Sequence, residues 1–124
     1  MSQTLIARTK KELARLVDTT RWSINGLRLG WLEEKSLRQW TAVNILNVVS
    51  CLLLGLEPLA MALLVALGGL VLITELLNTA IETCVDYIST EKHPLAKKAK
   101  DVASGAVFAS ALLWALVWII LLVG

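Results

Sequence analysis

A long apolar run beginning at Leu59 does not end in a loop. It continues as T-E-L-L-N-T-A-I-E-T-C-V-D, from Thr74 to Asp86. Glu75, Asn78, Glu82 and Asp86 are spaced 3, 4 and 4 apart, so at about 100° per residue they share one helical stripe, within an arc of about 80°. The rest of that helix is Leu, Ile, Ala, Val and Thr, as a membrane span would be. An acidic side chain deep in a bilayer costs about 2.5 to 3.5 kcal/mol and normally faces a partner, a cavity or a pathway. Three carboxylates and an amide on one face therefore mark a candidate site. The plainer alternative puts Glu82 and Asp86 among headgroups and leaves Glu75 and Asn78 to hold helices together.

Composition agrees with a membrane protein. Of 124 residues, 56% are hydrophobic, with a single Phe and a single Tyr, too apolar for an ordinary soluble domain of this size. The predicted fold class is all-α and integral to the membrane. All 12 Lys and Arg lie in two places, eight from Arg8 to Arg38 and four from Lys92 to Lys100, and by the positive-inside rule both are cytoplasmic. They are read as topology and headgroup attraction, since no soluble module is present to read a nucleic-acid groove. The charged stretch from Thr4 to Arg28 lacks the compact apolar core of a cleavable signal. Cys51 and Cys84 fall inside predicted spans, where neither a disulfide nor a metal site is expected of them.

In chain order, residues 1–33 are expected to form an N-terminal amphipathic surface helix. Leu13, Leu16, Ile24, Leu27 and Trp31 recur at helical spacing, Lys11, Arg15, Asp18, Asn25 and Arg28 take the other side, and Trp22 and Trp31 act as interfacial anchors. Gly26 and Gly30 are expected to weaken its last turns and bend the chain toward the bilayer. Residues 34–124 are expected to form a domain of three transmembrane helices, with spans at about 40–56, 59–84 and 102–123. Asn44, Asn47 and Ser50 in the first can bond a neighbouring helix. Gly55 to Pro58 make a short turn on the periplasmic side, with Pro58 at the first position of the next helix. Glu75, about 24 Å along from Leu59, then lies toward the cytoplasmic edge of a core about 30 Å thick. Pro94 starts a helix carrying Lys97, Lys98, Lys100 and Asp101 before the third span. The N-terminus is cytoplasmic and the C-terminus periplasmic.

Carboxylates, Lys100 and Asp101 are thus expected at one depth, reachable by a soluble reagent from one side and a lipid headgroup from the other. Carboxylates from two helices suit Mg²⁺ together with phosphates, Lys100 can meet a phosphate near a helix start, and Glu75 can take a proton from an alcohol. Neither a G-x4-G-K-[ST] loop nor a G-x-G-x2-G loop occurs, so periodicity alone does not name ATP.

Four segments carry a resemblance: Glu34-x3-Arg38-Gln39, E-L-L-N-T-A-I-E-x3-D from Glu75 to Asp86, Glu91-x-His93, and A-K-D-x-A-S from Ala99 to Ser104. Together they resemble the prokaryotic integral-membrane diacylglycerol kinases, from about Arg15 through the third span. The resemblance implies a homotrimer of three-span subunits with shared sites at the cytoplasmic face of the bacterial inner membrane. It implies ATP-dependent phosphorylation of diacylglycerol to phosphatidic acid by direct in-line transfer, as part of phospholipid metabolism. By position, Glu75 corresponds to the catalytic base, Glu34 and Glu82 to the carboxylates that hold Mg²⁺ on the nucleotide, and Asn78, Lys100 and Asp101 to polar residues around the transferring phosphoryl group. Arg15 and Trp22 match surface-helix positions near the nucleotide, Arg15 and Ser104 also lipid-contact positions, and Glu91 with His93 the connector beside the adenine. Undecaprenol, an isoprenoid alcohol, is the alternative substrate of related proteins. Two readings from other classes stand beside it. A small ion- or drug-transporting oligomer would cycle Glu75 between protonated and charged forms, although the outer half of its span offers no charge to continue a path. A purely structural membrane anchor would need no site at all.

Overall fold

The computed structural model describes the backbone of residues 2–123 and the side chains of residues 8–123. Its elements are four helices, α1 (Ser2–Glu33), α2 (Lys35–Leu53), α3 (Pro58–Ile88) and α4 (Pro94–Val123). They divide into two compact units, α1 alone and α2 to α4 together, with the boundary between Glu33 and Glu34.

Helix α1 runs unbroken through Gly26 and Gly30. A glycine in a helix interior costs only about 1 kcal/mol, which does not end a helix of 32 residues, so α1 is not broken at either glycine. The break comes at one residue instead, Glu34, whose backbone is extended (φ −98°, ψ 112°). The hydroxyls of Thr19, Thr20 and Ser23 donate to the carbonyls of Arg15, Leu16 and Thr19. Each hydroxyl shares a carbonyl of its own helix four residues back, an arrangement a helix tolerates at a slight cost. Leu13, Leu16, Trp22, Ile24 and Leu27 remain exposed.

In the second unit, α2 stops three residues before the end of the expected span. Gly55 adopts φ +62°, a left-handed conformation that glycine takes without a Cβ penalty. The N–H of Gly55 then donates to the carbonyl of Leu52 and that of Leu56 to Cys51, the paired bonds of a Schellman ending. Pro58 opens α3, where its missing N–H costs nothing. At the other end α3 runs on to Ile88, beyond Cys84 as the stripe to Asp86 requires: Val85 to Ile88 still satisfy helical bonds and Ser89 closes the last turn onto the carbonyl of Val85.

Helix α3 packs against both α2 and α4. Cys51, Leu64, Val71, Val107 and Trp114 form the buried core, and the polar residues of α2 fasten it. Asn47 is buried and touches all three helices: its Nδ2 donates to the carbonyl of Leu64 at 3.4 Å, and its Oδ1 accepts from the indole of Trp118 at 2.9 Å. Asn44 Nδ2 donates to the carbonyl of Gly68 at 3.0 Å. That approach requires glycine, since a Cβ at position 68 would meet Asn44 Oδ1 at 2.0 Å and Trp114 at 3.1 Å. Gly68→Ala should therefore push Asn44 off its bond and lower stability by about 1–3 kcal/mol, read as a lower unfolding midpoint in detergent; an unchanged midpoint would show that this approach is not tight.

Two helices, α3 and α4, are long and apolar enough to cross a membrane. Helix α2, of 19 residues, does not reach the same measure, because Lys35, Arg38, Asn44, Asn47 and Ser50 dilute its apolar content.

Candidate active site

The ridge that builds the core also builds the site. Helix α3 buries Leu64, Gly68, Val71 and Glu75, in steps of 4, 3 and 4, and the next steps along the same face are Asn78 and Glu82, both half-buried. Helix α4 answers with Ala103, Val107, Ser110 and Trp114, again in steps of 4, 3 and 4. The two ridges run antiparallel and are pinned at two places. Thr74 Oγ1 lies 3.0 Å from Ser110 Oγ, and Lys100 Nζ donates to Asp86 Oδ1 at 2.6 Å. Glu75, Asn78 and Glu82 occupy the roughly 18 Å of α3 between the pins.

Glu75 is only 5% exposed, and among the described residues its carboxylate has no hydrogen bond or ion pair. An acid held this deep without a protein partner is expensive for a fold unless water or a ligand reaches its oxygens. Three residues on, Asn78 Nδ2 donates to Glu82 Oε1 at 3.1 Å, which fixes both side chains one turn apart. Asn78 Oδ1 is buried and has no partner. This strip of α3 thus presents hard oxygen atoms that the protein itself leaves unsatisfied.

The connector from Ser89 to His93 closes this end of the bundle. Ser89 Oγ accepts from the N–H of Glu91 at 3.0 Å, and His93 Nδ1 accepts from the N–H of Leu95 at 3.2 Å. The carbonyl of His93 takes the N–H of Lys97, so His93 caps α4 and its Nδ1 is occupied. Glu91 and His93 line a cavity of about 680 Å³ together with Asp86, Ser89, Lys97 and Lys100.

The sequence-derived residues therefore fall into groups. Glu75, Asn78 and Glu82 share one face of α3, and Lys100 joins them at its end through Asp86. Asp101 turns away from this group to pair with Lys97. Ser104 is exposed on α4, and Glu34 is half-buried where α2 begins. Arg15, 3.8 Å from Glu12, and Trp22 are exposed on α1, in the other unit. Among the described residues, no three His, Cys, Asp or Glu side chains gather as a metal cage. The donors still suit Mg²⁺, which takes one or two carboxylates and completes its shell with water and phosphate oxygens. Asn78 Oδ1, buried and unpartnered beside Glu82, is the observation that fits such an ion.

Two contributions were not foreseen from the sequence. Asp86 lay on the stripe, but its partner is fourteen residues away across the connector, and only the antiparallel register reveals the pair. The Thr74–Ser110 contact joins two small hydroxyls that no motif singles out; the matching 4-3-4 spacing of the two helices is the available signal.

A helical bundle with two helices long and apolar enough to cross a membrane, and with acidic side chains gathered along one end of α3, has the build of a membrane protein. Residues 21–122 match the sequence model of the family described as prokaryotic diacylglycerol kinase. A diacylglycerol kinase of Helicobacter pylori is 38% identical over 108 residues, covering 87% of this chain and 84% of the relative. One from Pseudomonas aeruginosa is 37% identical over 112 residues, covering 90% and 91%, and one from Escherichia coli is 37% identical over 108 residues, covering 87% and 88%. The chain belongs to the prokaryotic diacylglycerol kinase family and is a kinase.

Proposed function

We propose that this enzyme transfers the γ-phosphoryl group of ATP to the free hydroxyl of 1,2-diacylglycerol, giving phosphatidic acid at the cytoplasmic interface of the inner membrane. The observation that carries this reading is Glu75: a buried, unpartnered carboxylate where the apolar ridge of α3 turns polar. The names of its relatives supply the lipid.

In the proposed reaction Glu75 accepts the proton of the sn-3 hydroxyl, and the resulting alkoxide attacks the γ-phosphorus in line with the leaving ADP oxygen. Lys100 donates to the phosphate oxygens, where charge develops in the transition state. Asn78 holds Glu82 in place, and Glu34 and Glu82 are the residues that would bind Mg²⁺, with Asn78 Oδ1 close by. When bound, that ion neutralises phosphate charge and orients the nucleotide. Arg15, Trp22, Glu91 and His93 are assigned to the nucleotide, Asp101 to the surroundings of its phosphates, and Ser104 and Arg15 to the lipid. The buried position of Glu75 keeps water from the hydroxyl, and the open connector cavity admits a soluble nucleotide.

The same reading has α2, α3 and α4 all crossing the bilayer, with the N-terminus cytoplasmic and the C-terminus periplasmic. The short turn between α2 and α3 and the antiparallel packing of α3 on α4 support alternate crossings. Three copies form a homotrimer whose neighbours share sites.

Purified protein in lipid tests this directly. ADP formation from ATP and Mg²⁺ should rise on adding diacylglycerol and yield phosphatidic acid. ADP formation that ignores diacylglycerol but responds to undecaprenol would move the activity to the isoprenoid alcohol. No lipid-dependent turnover with either alcohol would sink the proposal.

A further inference from the structure

The reaction outlined above uses Lys100 and leaves Asp86 without a task, yet the fold brings the two together at 2.6 Å across the α3–α4 connector. Asp86 is the outermost member of the stripe that begins with Glu75, one turn past Glu82 on the same side of α3. The side chain of Lys100 is 35% exposed and that of Asp86 55%. A pair this open contributes little to stability, because water and salt compete for both charges.

What the pair restricts is the lysine. Its ammonium sits on a flexible four-carbon stem with three donors, and an unanchored lysine at a membrane edge extends toward water or headgroups. The nearest carboxylate on α4 does not compete for it. Asp101 is held by Lys97 in an i, i+4 pair along the surface of α4. Lys100 is thereby left to reach across to α3, toward the face that carries Asn78 and Glu82.

We infer that Asp86 is a positioning residue for phosphoryl transfer: it anchors the ammonium of Lys100 through one N–H at the polar end of α3 and leaves two donors for phosphate oxygens. The inference rests on the reading of Lys100 as the partner of the transferring phosphate. Holding a charged group in place before the substrate arrives avoids the cost of ordering it during the reaction, and small misplacements are expensive in rate.

The test is a double-mutant cycle on the purified protein in lipid, with ATP and diacylglycerol as substrates and thermal unfolding measured alongside. Asp86→Asn should lower kcat/KM for ATP by about 10- to 100-fold with an unchanged unfolding midpoint, and Asp86→Glu should recover part of the loss. Lys100→Met should lose more. Adding Asp86→Asn to Lys100→Met should then cost nothing further, because a residue acting only through the lysine has nothing left to position.

Wild-type kcat/KM in Asp86→Asn, with Lys100→Met crippled, overturns the role of Asp86 and leaves that of Lys100 standing. An equal loss from Asp86→Asn in both backgrounds also overturns it. Full activity in Lys100→Met would instead remove the phosphate-binding role of the lysine, and this inference with it. Should Asp86→Asn fail to assemble, Asp86→Glu decides on the same criterion, a loss present with Lys100 and absent without it.

Discussion

Glu75→Gln should leave a folded protein with its activity reduced by about a thousandfold or more, within the range of general-base catalysis. Stability should stay level or rise. Glu75 is buried with no hydrogen bond or ion pair among the described residues, so the isosteric amide removes a charge that nothing in the described chain compensates. Opposite movements of activity and stability separate a chemical role from a structural one, because a residue that merely held helices together would lose both at once. Phosphatidic acid formation and the unfolding midpoint, measured on the same preparation in lipid, check both halves. A fully active Glu75→Gln enzyme would remove the assigned base.

Glu82→Ala is expected to raise the Mg²⁺ concentration needed for half-maximal activity by at least about tenfold, the scale seen when support around a bound metal is lost. It should do more than Glu34→Ala. Removing the Glu82 carboxylate also frees Asn78, whose Nδ2 it holds at 3.1 Å, whereas Glu34 makes no side-chain cap at the start of α2. Titration of activity with Mg²⁺ at fixed ATP reads the difference. An unchanged metal requirement in both variants would take the ion away from these carboxylates.

The helices were largely readable from the residues because their ends are chemically marked. Pro58 and Pro94 open α3 and α4, and Gly55 ends the turn after α2. The stripe from Glu75 to Asp86 was equally visible, since helical spacing alone puts its members on one side. The packing of that stripe was not readable. Whether Glu75 is buried depends on how α4 packs along α3, and register between two antiparallel helices is a tertiary property. The same holds for Trp114 and Trp118. Nothing in their spacing tells that Trp114 is in the core and that Trp118 is bonded to Asn47. Gly26 and Gly30 do not break α1, because local propensity is a small term beside the cooperativity of a long helix.

The tight turn at Gly55 and Pro58 has a consequence for the membrane itself. It fixes where α3 starts, and Glu75 follows 17 residues later, about 25 Å along a rigid rod. For a bundle that crosses the bilayer, this makes α3 a ruler whose zero mark is the far leaflet and whose reading is the depth of the acid. Hydrocarbon thickness differs between membranes by a few ångströms, the rise of two residues. Shorter acyl chains would lift the carboxyl into the headgroups and longer ones would submerge it, so the host lipid would tune the catalyst without touching it.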